Sequence, residues 1–557
     1  MADTVKKGPT SCLPAKPEGT SSKYLAALKR FPLQTSRERI FALALVLGWA
    51  LLFLPNLRTN PNWYSDEGEV MEMSWNTVHG HPRIGPVRTD FMFPHPYPPL
   101  YLIVNGTLLR VFGYDIVVGR ALQAVIALVT AAVLFWVGTR LRNKNFGFLC
   151  AAAFLLYPET VMNCRWVRPH PMAGLLALSA VGFLIRYVQE RRLRDVIWAG
   201  ILSSLGTGTH YYVYPLMGAV VVTAFFVNKR HIVPSLLGTA VFPVGFVGWF
   251  LTTQPGGITH LVTQIQRVGE YGTSATSTFV ENLARIYRNI ITFGLLTPTL
   301  AEDRSFQGFD VWLIVASLGL VFCFPVARFR KWLAFWLLAL MYPVFKQQDN
   351  LPIFFYPAMV FLPLLALGFA GAVERVSEIA GRRFTPATSG VVVASLGVFG
   401  LMSLVGSLGH FRTKVDPWTV HSSADAEAAM NFVNSHTTSQ DFVIVPKHLN
   451  WLVHNARLSS LPHVVAYEGK TNGVYTIPVP REFFWFDCDW PNAKYLVLAY
   501  GRDAAGQPYG FDVIYNLGFE GIREIIGKIQ AEKWPVVFQK GEFMVLANPK
   551  FVKTPER

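Results

Sequence analysis

Apolar residues in this chain run in long unbroken blocks, without the three-and-four spacing of a surface helix or the alternation of a half-buried strand. Blocks of about 16 residues and more recur from Ile40 to Leu408. That is longer than most buried core helices and close to the thickness of a bilayer core. The pattern predicts spans at 40–55, 116–137, 146–162, 171–188, 196–209, 212–227, 233–251, 311–326, 332–345, 351–370 and 391–408. The run at 99–113, about 15 residues long and marginal for a crossing, suits the membrane interface better, because a crossing there would put every later basic cluster outside.

The polar punctuation between the blocks sets the orientation. Arg140, Arg142 and Lys144, then Arg191, Arg192 and Arg194, Lys229 and Arg230, Arg328, Arg330 and Lys331, and Arg375, Arg382 and Arg383 follow alternate spans. With the N-terminus inside and 99–113 left at the interface, all five clusters fall on the cytoplasmic side, as the positive-inside rule requires. The block at 40–55 carries no small-residue cleavage site and reads as an uncleaved anchor. From about His410 the blocks stop and short alternating stretches appear at 441–446, 493–500 and 536–548, with helical patterns at 424–435 and 522–532. The expected architecture is a polytopic α-helical membrane protein of about 11 transmembrane helices with a C-terminal extracytoplasmic α/β domain. Its parts are a cytoplasmic basic tail (1–39), a membrane domain (40–409) whose first external loop spans 58–113, and the α/β domain (410–557). The setting is the cell inner or plasma membrane.

Composition excludes the simpler classes. Of 557 residues, 52% are hydrophobic and 15% charged, against about 25% charged in soluble domains. The net charge of +15 comes without the basic and aromatic clustering of a nucleic-acid groove, so membrane lipid is the expected polyanionic neighbour and nucleic acid is not. The five cysteines have no metal spacing and no disulfide framework. Cys164 and Cys488 share the external compartment, which leaves a bridge between them open.

Candidate chemistry gathers on the external side. Tyr64-Ser65-Asp66-Glu67-Gly68-Glu69 follows the first span. Two adjacent carboxylates oppose each other electrostatically. One reading is a helix start, with Asp66 as N-cap and Glu69 three residues on. The other is a general base, Asp66, tuned by Glu67; both readings stand. Arg165 and Arg168 break the charge rule, as does Lys346 from a distant segment. An anion such as a donor phosphate accounts for them, and so does an ion pair with Glu159 or contact with lipid headgroups. Tyr64, His95 and Tyr97 in the first loop, and His170, His210, Tyr211 and Asp349 at span ends, complete a convergent set of substrate-binding candidates. No residue spacing asks for a metal or cofactor, although carboxylates and histidines suffice chemically to hold a divalent ion.

The order of these features resembles the C-type (GT-C) membrane glycosyltransferases, in the branch of the protein O-mannosyltransferases and aminoarabinose transferases. The likeness rests on Asp66-Glu67 after the first span, Pro98-Pro99-Leu100-Tyr101, Arg168-Pro169, and Phe355-Tyr356-Pro357-Ala358 opening a late aromatic-proline helix. His170 stands where an acidic residue often follows the Arg-Pro pair, and Lys346 with Asp349 where an Arg-Tyr pair is common. The resemblance implies a polyprenyl-phosphate-linked sugar as donor, a hydroxyl of a lipid, glycan or protein as acceptor, Asp66 as base, and inversion at the anomeric carbon. The rival class, a transporter or flippase for lipid-linked sugar or anionic lipid, predicts charge at mid-membrane depth and paired broken repeats, whereas the span interiors hold almost no charge and no halves repeat.

Orientation is directly testable. A cysteine on the surface of 410–557 is expected to react with an impermeant thiol reagent in intact cells, while one within 140–144 stays protected. The reverse pattern would overturn the assignment of every loop.

Overall fold

The computed structural model describes residues 35–60, 65–81, 83–88, 98–253, 319, 327–346, 355–383, 423–471, 478–499, 501–502, 508–509 and 520–551. The predicted spans at 311–326 and 391–408, apart from Gly319, lie outside these residues. Two units are delimited, Met1–Leu47 and Gly48–Arg557. In the first, the described part is helical and presents Ile40, Leu43 and Leu47 to its surroundings.

In the second unit the apolar blocks are helices: Ile116–Leu141, Lys144–Leu156, His170–Glu190, Leu193–Thr207, Tyr214–Val227, Ile232–Thr239 continued by Val241–Thr253, Ala327–Lys346 and Phe355–Arg383. Among the described residues, three helical stretches are long and apolar enough to cross a membrane: Ile116–Leu141, His170–Glu190 and Lys229–Gly248. Starts are set by local chemistry. Asp115 accepts the Val117 amide and Asn143 the Phe146 amide, each satisfying one of the amides that a helix start leaves over. Large apolar side chains such as Phe226, Val233, Leu237 and Val244 are more than three-fifths exposed, which suits contact with lipid chains and not with water.

The last helix departs from expectation. The apolar pattern ends near Ala370, but the helix runs to Arg383, so Arg375 lies on a helix and not in a loop. The extension carries Glu374 and Glu378 to Arg142, with Glu374 at 2.6 Å. Arg140 pairs with Glu190 at 2.7 Å and Arg186 with Asp195 at 3.2 Å at the same end of the bundle.

At the other end, the first loop folds into the helix Ser65–Val78, a hairpin Arg83–Ile84/Val87–Arg88, and the helix Pro99–Phe112. The two loop helices touch at Gly106, where a Cβ would sit 2.1 Å from the Ser74 carbonyl. Only glycine permits that approach.

The C-terminal segment builds a five-stranded mixed sheet in the order Arg457–Ser459, Phe442–Ile444, Tyr495–Ala499, Phe543–Ala547, Val536–Lys540. The first two pairings are parallel and the last two antiparallel. Successive side chains of a strand face opposite ways, and both faces are covered. Leu496 and Leu498 pack with Ile522, Ile525 and Ile529 of the helix Glu520–Ala531. Tyr495, Val497 and Ala499 share a core with Met430 of the helix Ala424–Ser435, and with Val70, Met71, Met73, Tyr101 and Leu102 of the loop helices. Sheet and first loop therefore bury one continuous core.

Polar contacts fix the register of that docking. A short helix, Lys447–Leu452, lies along Ser65–Val78. Lys447 pairs with Glu69 at 2.7 Å and the Asn450 amide donates to Glu72 at 3.0 Å. A Cβ on Gly68 would meet the Lys447 carbonyl at 2.0 Å. Burial raises the Glu72 carboxyl to about 7; Arg83 opposes that rise and the Glu69 charge adds to it.

The sign follows from linkage. The folded protein keeps a proton on Glu72 at pH values where the unfolded chain has lost it, so this contribution is complete below the ordinary carboxyl range and vanishes as pH rises through about 7. The full swing is on the order of 3 kcal/mol. Glu72→Gln is expected to flatten the fall in thermal midpoint between pH 5 and 8, measured on purified protein. An unchanged pH profile would remove Glu72 from that account.

Candidate active site

The site is built around the irregular segment between the helices Pro158–Asn163 and His170–Glu190. Its backbone makes no ladder of its own, so its polar groups must find side-chain partners where water is scarce. The Glu67 carboxylate accepts its Val167 amide and the Gln123 amide donates to its Arg168 carbonyl.

Arg165, fully buried, donates to the carbonyls of Leu52 (2.7 Å), Asn60 (2.8 Å) and Pro55. The last carbonyls of a helix lack intrahelical partners and carry the negative end of its dipole. Arg165 caps the end of Ser36–Phe53 and the turn after it. These carbonyl contacts give a structural reason for a buried arginine at this position.

Glu67 is bound just as firmly. Its carboxylate takes a two-pronged contact from Arg120 (3.0 and 2.6 Å), and one oxygen also accepts the Val167 amide at 2.9 Å. Neither side chain of the pair is exposed, and Arg120 also donates to the Leu57 carbonyl at 2.9 Å. Planar guanidinium against carboxylate is the strongest form of such a pair. Glu67, expected as the second carboxylate of the site, forms a buried tie between the first loop, a membrane helix and the segment that bears Arg168.

Asp66 has a different environment. Its side chain is 23% exposed, and Oδ2 lies 3.5 Å from Nη2 of the fully buried Arg168, whose guanidinium stands 5.2 Å from the centre of the Trp166 ring. The helix begins at Ser65, so Asp66 occupies its first turn and not the N-cap. Glu69 reaches Lys447 at 2.7 Å.

Next to Arg168, the His170 and His210 rings lie 4.3 Å apart, and His210 Nδ1 accepts the Tyr212 amide at 3.3 Å. The Tyr211 hydroxyl is buried. The Leu100 amide donates to the Gly208 carbonyl at 2.9 Å, which places the Pro98–Tyr101 motif against the same turn. Tyr64, His95, Tyr97 and Asp349 lie outside the described residues. Lys346 closes the helix Ala327–Lys346, and its side chain also lies outside them. Cys164 and Cys488 are free and buried, so the bridge left open above is absent. Among the described residues, no three His, Cys, Asp or Glu side chains converge as a metal ion needs.

Two buried polar residues escaped the reading of the pattern: Arg120 and Gln123, inside an apolar block. A charge within a span is itself the signal that could have found the first.

With this geometry in hand, comparison with known proteins is informative. Residues 95–249 match the family described as dolichyl-phosphate-mannose-protein mannosyltransferase. No curated protein sequence matches the chain. Among solved structures, ArnT from Cupriavidus metallidurans bound to undecaprenyl phosphate aligns with a TM-score of 0.58 at 13% identity, covering 92% of this chain and 98% of that one. The oligosaccharyltransferase of Archaeoglobus fulgidus aligns at 0.53 and 11%, covering 84% of this chain and 70% of that one. The fold is that of the C-type (GT-C) membrane glycosyltransferases. The resemblance read from Asp66-Glu67, Pro98–Tyr101 and Arg168-Pro169 is thus matched by the architecture.

Breaking a buried ion pair from one side leaves an uncompensated charge, at about 3–5 kcal/mol. Glu67→Ala and Arg120→Ala are each expected to reduce the yield of folded protein in membranes. The double replacement Glu67→Leu with Arg120→Met should recover part of it. Full yield in either single variant would show that the pair is dispensable.

Proposed function

We propose that this protein is an inverting glycosyltransferase. It moves a hexose or pentose from a polyprenyl-phosphate carrier to a hydroxyl of a lipid, glycan or protein acceptor, on the extracytoplasmic face. The observation that carries this reading is the pairing of a partly exposed carboxylate, Asp66, with a fully buried guanidinium, Arg168, at 3.5 Å. A guanidinium is costly to bury and does not give up its charge, and here it stands beside a partly exposed loop carboxylate.

The chemistry asks for those two groups. The acceptor oxygen attacks the anomeric carbon from the face opposite the phosphate and passes its proton to Asp66. The bond from that carbon to the phosphate oxygen breaks, and its electron pair leaves with the lipid phosphate. Arg168 stabilises that developing charge by an aimed, desolvated donor. The configuration inverts. His170, His210 and Tyr211 are candidates for contact with the donor, and Lys346 is a further candidate cation. Glu67 positions Asp66 and takes no proton. The capture of undecaprenyl phosphate by ArnT, a protein of the same fold, supports a lipid-phosphate donor.

Membranes bearing Asp66→Asn are expected to fold, to bind undecaprenyl phosphate, and to lose sugar transfer from radiolabelled polyprenyl-phosphate sugars by about 100-fold or more. Arg168→Gln should weaken donor binding more than acceptor binding, and Arg168→Lys, which keeps the charge but not the planar fork, should fall between. Transfer by Asp66→Asn within tenfold of the parent would defeat the assignment of the base.

A further inference from the structure

Asp66 and Arg168 sit on separate segments about 100 residues apart in the chain, yet their spacing is tied to a single helix. Arg120 and Gln123 lie three residues apart on Ile116–Leu141, so they share one face. Arg120 holds Glu67, the neighbour of Asp66, and Glu67 in turn holds the amide of Val167, the neighbour of Arg168. Gln123 completes the circuit. Its Nε2 donates to the Arg168 carbonyl at 2.8 Å and also to the Tyr101 hydroxyl on the helix Pro99–Phe112.

Arg168 needs this support. It stands in irregular backbone, and the residue after it is Pro169, which has no amide to offer a local turn. A buried carbonyl without a donor is destabilising, and its segment moves to find one. Of the residues near Gln123 in size, leucine and methionine have no donor, and glutamate would set a carboxylate against the carbonyl and draw the guanidinium towards itself.

We propose that Gln123 is a positioning residue for donor binding. It locks the Arg168 main chain to the Ile116–Leu141 helix, so that the guanidinium is held where a lipid phosphate and Asp66 meet. This rests on the reading of Arg168 as the phosphate contact.

The probe is undecaprenyl phosphate, titrated against the full-length protein in nanodiscs and expressed per folded molecule. Gln123→Met is expected to weaken binding about tenfold. Gln123→Asn, which keeps the amide but falls a methylene short, should give a smaller loss in the same direction if the methionine variant folds poorly. Thr130→Val removes another buried hydrogen bond on the same helix, from Thr130 to the Ile126 carbonyl, and should bind as the parent does. In an Arg168→Lys background the Gln123→Met loss should shrink to within about twofold, because residues acting through one contact are not additive. Parental affinity in both Gln123 variants, or a loss that multiplies fully with that of Arg168→Lys, overturns the positioning role. Parental affinity in Arg168→Lys and Arg168→Gln overturns the phosphate reading, and this inference with it.

Discussion

A charge buried among apolar helices survives only if its partner is buried with it, and the Glu67–Arg120 pair meets that condition with no side-chain exposure on either side. The attraction roughly offsets the loss of hydration and adds little net stability. What it contributes is specificity of arrangement. A planar guanidinium fixed on a membrane helix favours a two-pronged carboxylate geometry, and one oxygen of that carboxylate also accepts the Val167 amide. First loop, membrane helix and arginine-bearing segment are thereby placed relative to one another.

A second consequence concerns the C-terminal sheet. One strand face supplies Tyr495, Val497 and Ala499 to the same core as Val70, Met71 and Met73 of the first loop. Lys447 and Asn450 close its polar edge on Glu69 and Glu72. Of the acidic residues that open the loop helix, then, Glu67 anchors to the bundle, Glu69 and Glu72 anchor to the sheet, and Asp66 lies against Arg168. A cluster that looks uniform in the chain is divided among three tasks by its helical phase.

Much of this was legible in the sequence, for reasons that can be named. Long apolar runs have few structural meanings, so most helices fell where the blocks lay. The helix Ala424–Ser435 and the main strands of the sheet followed from periodicity. Where polarity and helicity part company the reading fell short: Phe355–Arg383 continues past its apolar stretch because Glu374 and Glu378 gain Arg142 as a partner. In the site, the segments were identifiable but the division of labour was not. Arg165 and Arg168 look alike as misplaced cations. Only the coordinates separate a guanidinium spent on the carbonyls of Leu52, Pro55 and Asn60 from one that faces a carboxylate. Arg120 was lost within hydrophobicity taken over a whole block, which a single charge barely lowers.

The shared core has a bearing on how the protein is made. The loop helix ends at Val78, while the first helix that completes its core begins at Ala424, roughly 350 residues later. At synthesis rates of about 5–20 residues per second, that interval lasts roughly 20 to 70 seconds. Throughout it, Val70, Met71 and Met73 have the helix Pro99–Phe112 to rest on but no sheet above them. The nascent loop must therefore be sheltered by the bilayer surface or by a chaperone until the last quarter of the chain emerges, and a ribosome that stalls near residue 400 leaves behind a membrane bundle with its half-built core open to water.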